Sequence, residues 1–137
     1  MSTDLKRLLV SEHPVDRAAA GRRLASLAGR PDVDSLLHGL LLHDENTLLP
    51  FETAEALSKR RDSAGMRVLA KALGEADPRD LQFHWILDAV GNVWMQTLED
   101  AATAQRLCSA LIDDADNSVR TGARELLDFS RPTSASR

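Results

Sequence analysis

Leucines recur at a fixed long interval in this chain, and that interval is the strongest constraint on its fold. Equal steps of 33 in the numbering separate Leu24, Leu57 and Val90, and Leu127 follows after a step of 37. A second series runs in step with the first: Leu36, Leu69 and Leu107, accompanied by Leu40, Leu73 and Leu111, at intervals of 33 and then 38. Two series that share one late insertion point to a unit repeated along the chain, each copy burying its apolar face on its neighbours. Composition tells what the unit is made of. Leu (22) and Ala (19) dominate, Val and Ile together supply nine, and Tyr is absent. Leu and Ala favour helix while the strand-filling residue types are scarce, which disfavours an all-β or parallel α/β fold.

Apolar residues at helical spacing predict helices over about 3–11, 14–28, 33–43, 48–61, 63–74, 78–97, 101–113 and 117–129. The punctuation agrees. Gly29-Arg30-Pro31 reads as a helix stop, and Asp77-Pro78 as an N-cap followed by proline in the first turn. Ser63, Asp100 and Asn117 or Ser118 are the other candidate caps. The helix over 78–97 carries two apolar stripes, Phe83, Leu87, Val90, Trp94 and Leu98, and Leu81, Trp85 and Ala89, leaving a polar strip of His84, Asp88 and Asn92. A helix apolar on most sides belongs in the middle of a stack. The expected architecture is all-α, with residues 1–130 as one domain of about four antiparallel helix pairs and 131–137, rich in Ser, as a disordered tail.

Asp116-Asn117-Ser118-Val119-Arg120, followed by Ala123 and Leu127, resembles the turn and first helix of a HEAT-like (armadillo-type) repeat. Glu12-His13-Pro14-Val15-Asp16 with Ala20 and Leu24 is a weaker copy, Leu49 with Ala56 and Leu57 weaker again, and Asp77-Pro78-Arg79-Asp80-Leu81 departs most. The resemblance covers roughly 5–129. It implies a short right-handed α-solenoid whose second helices line a concave face, and it leaves function open, because such repeats are scaffolds for many tasks.

Catalytic arrangements are scarce. The sequence has no Gly-rich phosphate loop, no paired-cysteine zinc spacing and no His-Glu-x-x-His. His43-Asp44 is the adjacent pair that metal phosphohydrolases of the HD type use, with His13 or His38 and Asp88 as nominal completing ligands, but it falls where acidic helix-start turns recur. Asp113, Asp114 and Asp116 lack the glycine and the terminal glutamate of a calcium loop. They join Asp44/Glu45 and Glu75/Asp77/Asp80 as carboxylates that complement helix N-termini. All these turns share one edge of the expected stack, with Arg30 and Lys59-Arg60-Arg61 at the opposite edge. Cys108 lies on an apolar stripe and reads as a structural thiol, and His84 with Asp88 as a surface hydrogen-bonded pair. No metal and no cofactor is expected.

The repeat register also aligns Asp34 and His38 with Arg67 and Lys71 and with Gln105 and Ser109. These six residues fall opposite the leucines of their helices, so they are expected to form one polar row across the concave surface, with Trp85 as an aromatic neighbour that reaches the exterior. The expected function is a non-enzymatic scaffold or adaptor binding another protein or a peptide through this row, with an inhibitor or immunity-type protein as one form. The alternative is a nucleic-acid-binding HEAT-like protein related to alkylpurine DNA glycosylases, with Arg67 and Lys71 on phosphate and Trp85 stacking. An auxiliary subunit or lyase-like chaperone of a pigment or cofactor pathway is a third use of such repeats. A net charge of −4 disfavours a general nucleic-acid binder. The stretch from Met1 to His13 lacks the apolar run of a signal peptide, and no stretch is long enough to span a membrane, so a cytoplasmic protein is expected.

Overall fold

The helical spacing of Leu and Ala is realised almost element for element. In the computed structural model, which describes residues 3–42 and 48–130, every regular element is a helix: α1 (Thr3–Leu9), α2 (Pro14–Ala25), α3 (Pro31–Leu42), α4 (Leu48–Lys59), α5 (Ser63–Glu75), α6 (Leu81–Trp94), α7 (Leu98–Leu111) and α8 (Asn117–Ser130). The His43-Asp44 pair, the acidic Asp44/Glu45 turn and the tail over 131–137 lie outside the described residues.

The helix starts differ from expectation where local hydrogen bonds compete. Asp62, not Ser63, caps α5, its carboxylate accepting the Gly65 N–H at 3.0 Å. Thr97 caps α7 by accepting the Asp100 N–H at 3.0 Å, which starts that helix ahead of the Asp100 cap. Asp77 does not cap α6. Its carboxylate accepts the Arg79 N–H at 2.9 Å and the Arg79 guanidinium at 2.8 Å, closing a local turn so that α6 opens only at Leu81. At the opposite edge Gly29 takes φ +113 in the turn before α3, a conformation that glycine enters without penalty.

Helices α2, α4 and α6 pack side by side, and α3 and α5 lie against α4 and against each other. Leu24, Leu57 and Val90 are all buried at this seam, as their common interval requires. The other leucine series is displaced by one residue in α3. There Val33, Leu37 and Leu41 are buried while Leu36 is 39% exposed, and in α8 it is Leu126 rather than Leu127 that is fully covered. In α6 the buried set is Phe83, Ile86, Ala89, Val90, Val93 and Trp94. The stripe expected through Leu81 does not hold, since Leu81 is 63% exposed, and Leu98 belongs to the exposed start of α7.

The most extensive helix pairing joins α5 to α8. Gly74 sits against the Ser118 backbone and Gly122 against the Ala70 backbone, so the helices run antiparallel, and a Cβ at either glycine would overlap a carbonyl of the other helix. Small residues four apart on each helix, Ala70/Gly74 and Ser118/Gly122, permit this approach. The last helix thus does not simply extend the row of α2, α4 and α6. It lies along α5, is flanked by α7, and meets α6 through Phe129 beside Gly91.

Candidate functional site

A cleft lies between α3 and α5, with Asp116 of the α7–α8 turn on its border. It encloses about 540 Å³ and is lined by Asp34, Ser35 and His38 from α3, Ala64, Arg67, Val68, Lys71 and Glu75 from α5, Gly29 and Pro31 before and at the start of α3, and Asp116. Four of the six residues expected in the polar row, Asp34, His38, Arg67 and Lys71, come together here. The one-residue displacement in α3 explains their depth. With Val33, Leu37 and Leu41 turned inward, Asp34 and His38 follow directly on buried positions, and the His38 side chain keeps only 18% of its exposure.

The arginine and the lysine of the cleft are each matched by a carboxylate of the chain. The Arg67 guanidinium donates Nε and Nη2 to the two oxygens of Asp114 at 2.9 and 3.1 Å, a bidentate fork. Lys71 Nζ meets Asp116 at 3.1 Å, and His38 Nε2 lies 3.0 Å from Glu75 Oε1. Asp34 accepts the Gly29 N–H at 2.9 Å. The hydrogen bond from Arg67 holds the Asp114 carboxyl below its ordinary range, helped by the Asp116 N–H. The acidic turn is therefore a strut. Asp114 and Asp116 fasten α5, and Asp116 also accepts the Ser118 N–H at 2.8 Å in the first turn of α8. Among the described residues no three His, Cys, Asp or Glu side chains converge as metal ligands.

The remaining expected site residues stand apart. Gln105 donates to the Ser130 carbonyl at 3.0 Å, at the far end of α8 from the cleft, and Ser109 is an exposed residue of α7. The row is interrupted because α8, and not α7, takes the main packing position along α5, whose contact with α7 is much smaller. Trp85 is half-buried on α6 and does not line the cleft, while Trp94 is 1% exposed. His84 does not pair with Asp88; its Nε2 lies 2.9 Å from the Pro78 carbonyl oxygen. Cys108 is buried, and burial pushes its thiol up to about 12.

Two residues of the basic edge, Arg60 and Arg61, are taken up by the fold, while Arg30 and Lys59 stay exposed beside Asp32 and Glu55. Arg60 donates to the Ala25 and Ser26 carbonyls at 3.1 and 2.8 Å and pairs with Asp62 at 2.9 Å. Arg61, with φ 56, pairs with Asp100 at 2.9 Å, and its guanidinium carbon stands 5.2 Å from the centre of the Trp94 ring. These two arginines tie the α2, α4 and α6 turns together. Their role was hidden in the sequence because Ala25, Ser26, Trp94 and Asp100 all stand at the ends of other helices, far along the chain.

No family model matches this chain, and neither the curated proteins nor the solved structures contain a match to it. The described residues include no helix long and apolar enough to cross a membrane.

Proposed function

We propose that this chain is a non-enzymatic binding module that holds a segment of another protein, or a peptide, in the cleft between α3 and α5. The observation that carries this reading is the cleft itself: two packed helices present Asp34, His38, Arg67 and Lys71 along one groove over a floor that includes Val68 and Ala64. Side chains already held by intrachain ion pairs lose little conformational freedom on binding, so a preformed surface of this kind favours association. The charged side chains along both of its walls suit the polar backbone and side chains of an extended polypeptide. A HEAT-like ancestry fits the paired helices α2–α3 and α4–α5 and the side-by-side packing of α2, α4 and α6. The same reading makes the chain a short adaptor or inhibitor-type protein working inside the cell.

The nucleic-acid alternative draws less support. Arg67 and Lys71, the residues that would contact phosphate, already hold Asp114 and Asp116, and Trp85 lies outside the cleft. Display of short random peptides against the wild-type protein tests the proposal, with Ser35→Trp, which fills the cleft from the exposed face of α3, as the counter-bait. Peptides that bind wild type and are lost with Ser35→Trp support it. Binding of DNA or RNA that fades as salt rises, with no cleft-dependent peptide, would replace it with the nucleic-acid reading.

A further inference from the structure

We propose that the occupant of the cleft is a basic polypeptide segment, one that brings lysine or arginine side chains into the groove, and not an acidic or phosphorylated one. The inference rests on the reading of the cleft as the binding site and adds the chemistry of what binds there. Each cation facing the groove already has a carboxylate: Arg67 is forked onto Asp114 at 2.9 and 3.1 Å, and Lys71 meets Asp116 at 3.1 Å. An incoming carboxylate or phosphate would have to displace groups tethered to the same chain, whose effective concentration is on the order of millimolar or higher.

Acid is in surplus. Three carboxylates line the cleft, Asp34, Glu75 and Asp116, against the two cations Arg67 and Lys71, and Arg67 already has Asp114 from behind the lining. Asp34 accepts the Gly29 N–H, and Glu75 faces the His38 ring; among the described residues neither forms an ion pair with a lysine or an arginine. Arg67 reports the same excess, because it holds its proton more tightly than usual, through Asp114 first and the fields of Asp116 and Asp34 after it. A basic segment lying along the groove can meet Asp34 and Glu75 without taking a carboxylate from Arg67 or Lys71, competing only with the His38 contact at Glu75, and the aliphatic stem of its lysine or arginine lies along Val68 and Ala64 while the charged head reaches the rim. The net charge of −4 adds long-range attraction for a basic partner.

The test uses three displayed random-peptide libraries, one enriched in Lys and Arg, one in Asp and Glu with phosphoserine, and one uncharged. The full-length baits are wild type, Ser35→Trp and Asp34→Asn/Glu75→Gln, each checked for a wild-type helical spectrum and melting transition. The expected result is that the peptides lost with Ser35→Trp come from the basic library and that Asp34→Asn/Glu75→Gln weakens them about tenfold, the equivalent of one well-placed charge contact. Cleft-dependent peptides that are acidic or uncharged, or basic ones indifferent to Asp34→Asn/Glu75→Gln, would overturn the inference and leave the cleft reading standing. If none of the libraries yields a peptide lost with Ser35→Trp, the cleft reading fails and takes the inference with it.

Discussion

Asp114 accepts both donors of the Arg67 fork and the Asp116 N–H, and its carboxyl is held below the ordinary value of 3.8, the Arg67 hydrogen bond contributing most. A folded-state value lower than the unfolded one means that the ionised group stabilises the fold. That contribution is complete above the ordinary carboxylate range and is lost as pH falls through the lower, folded value. Asp114→Asn is therefore expected to lower stability by the same amount from neutral pH down to about pH 5, and the gap from wild type to narrow below about pH 4. Urea unfolding at a series of pH values measures this, and a gap that stays constant into strong acid would mean that Asp114 acts through shape and not charge. Cys108 gives a second residue-scale test. With its thiol pushed up to about 12 by burial, almost none is thiolate at neutral pH, so a thiol-specific reagent is expected to react only as fast as the fold opens. Labelling at the rate of a free thiol in native buffer would show that the packing of α7 against its neighbours does not cover it.

At the scale of elements, the close approach of α5 and α8 depends on the absence of two Cβ atoms. Because the atoms in the way are backbone carbonyls of Ser118 and Ala70, neither helix can yield by rotating a side chain. Gly122→Ala and Gly74→Ala are each expected to cost about 1–3 kcal/mol in chemical denaturation, with the helical spectrum of the folded state unchanged. Gly39→Ala is the internal control. It lies within α3 with nothing within 4 Å of a built Cβ, so it is expected to gain about 0.5–1 kcal/mol from helix propensity alone. Equal effects at the three positions would show that the glycines act only through local propensity. The helices themselves were legible in the sequence because Leu and Ala spacing records which face is buried. The caps were not, because Asp62, Thr97 and Asp116 each stand just ahead of the residue expected to cap, and short polar side chains in one turn compete for the same N–H groups. The buried face of α3 differs from the expected one by a single position for a related reason: Leu36, Leu37, Leu40, Leu41 and Leu42 are all apolar, so periodicity there does not distinguish adjacent faces.

For the whole molecule, a linear repeat array predicts that each helix pair leans on its immediate neighbours, so the terminal helix is the most dispensable. The observed packing differs: α8 is last in the chain yet makes its main contact with α5, and the turn that leads into it carries the Asp114 and Asp116 struts that fasten Arg67 and Lys71. That placement was not legible, because the Gly74 and Gly122 approach joins two helices with α6 and α7 between them in the chain and leaves only a small-residue spacing as its trace. With α8 docked along α5, Gln105 and Ser109 on α7 stand apart from Asp34, His38, Arg67 and Lys71, so the part of the polar row that held together is the part on α3 and α5. Deleting residues from 113 onward is therefore expected to do more than trim an end. It strips the cover from Ala70 and Gly74, removes Val119, Ala123 and Leu126 from the core, and takes both struts from the cleft. Loss of three buried apolar side chains of this size alone forfeits several kcal/mol, at about 25 cal/mol per Å² of apolar surface, comparable to the whole stability of a small domain. Among the described residues, deleting 1–12 removes only Leu5 from the buried set, and it is expected to lower the melting temperature while preserving a cooperative transition. Thermal unfolding followed by circular dichroism separates the two truncations. If the chain ending at 112 still melts cooperatively near the wild-type temperature, the molecule is a dispensable-ended array after all, and α8 does not hold the fold.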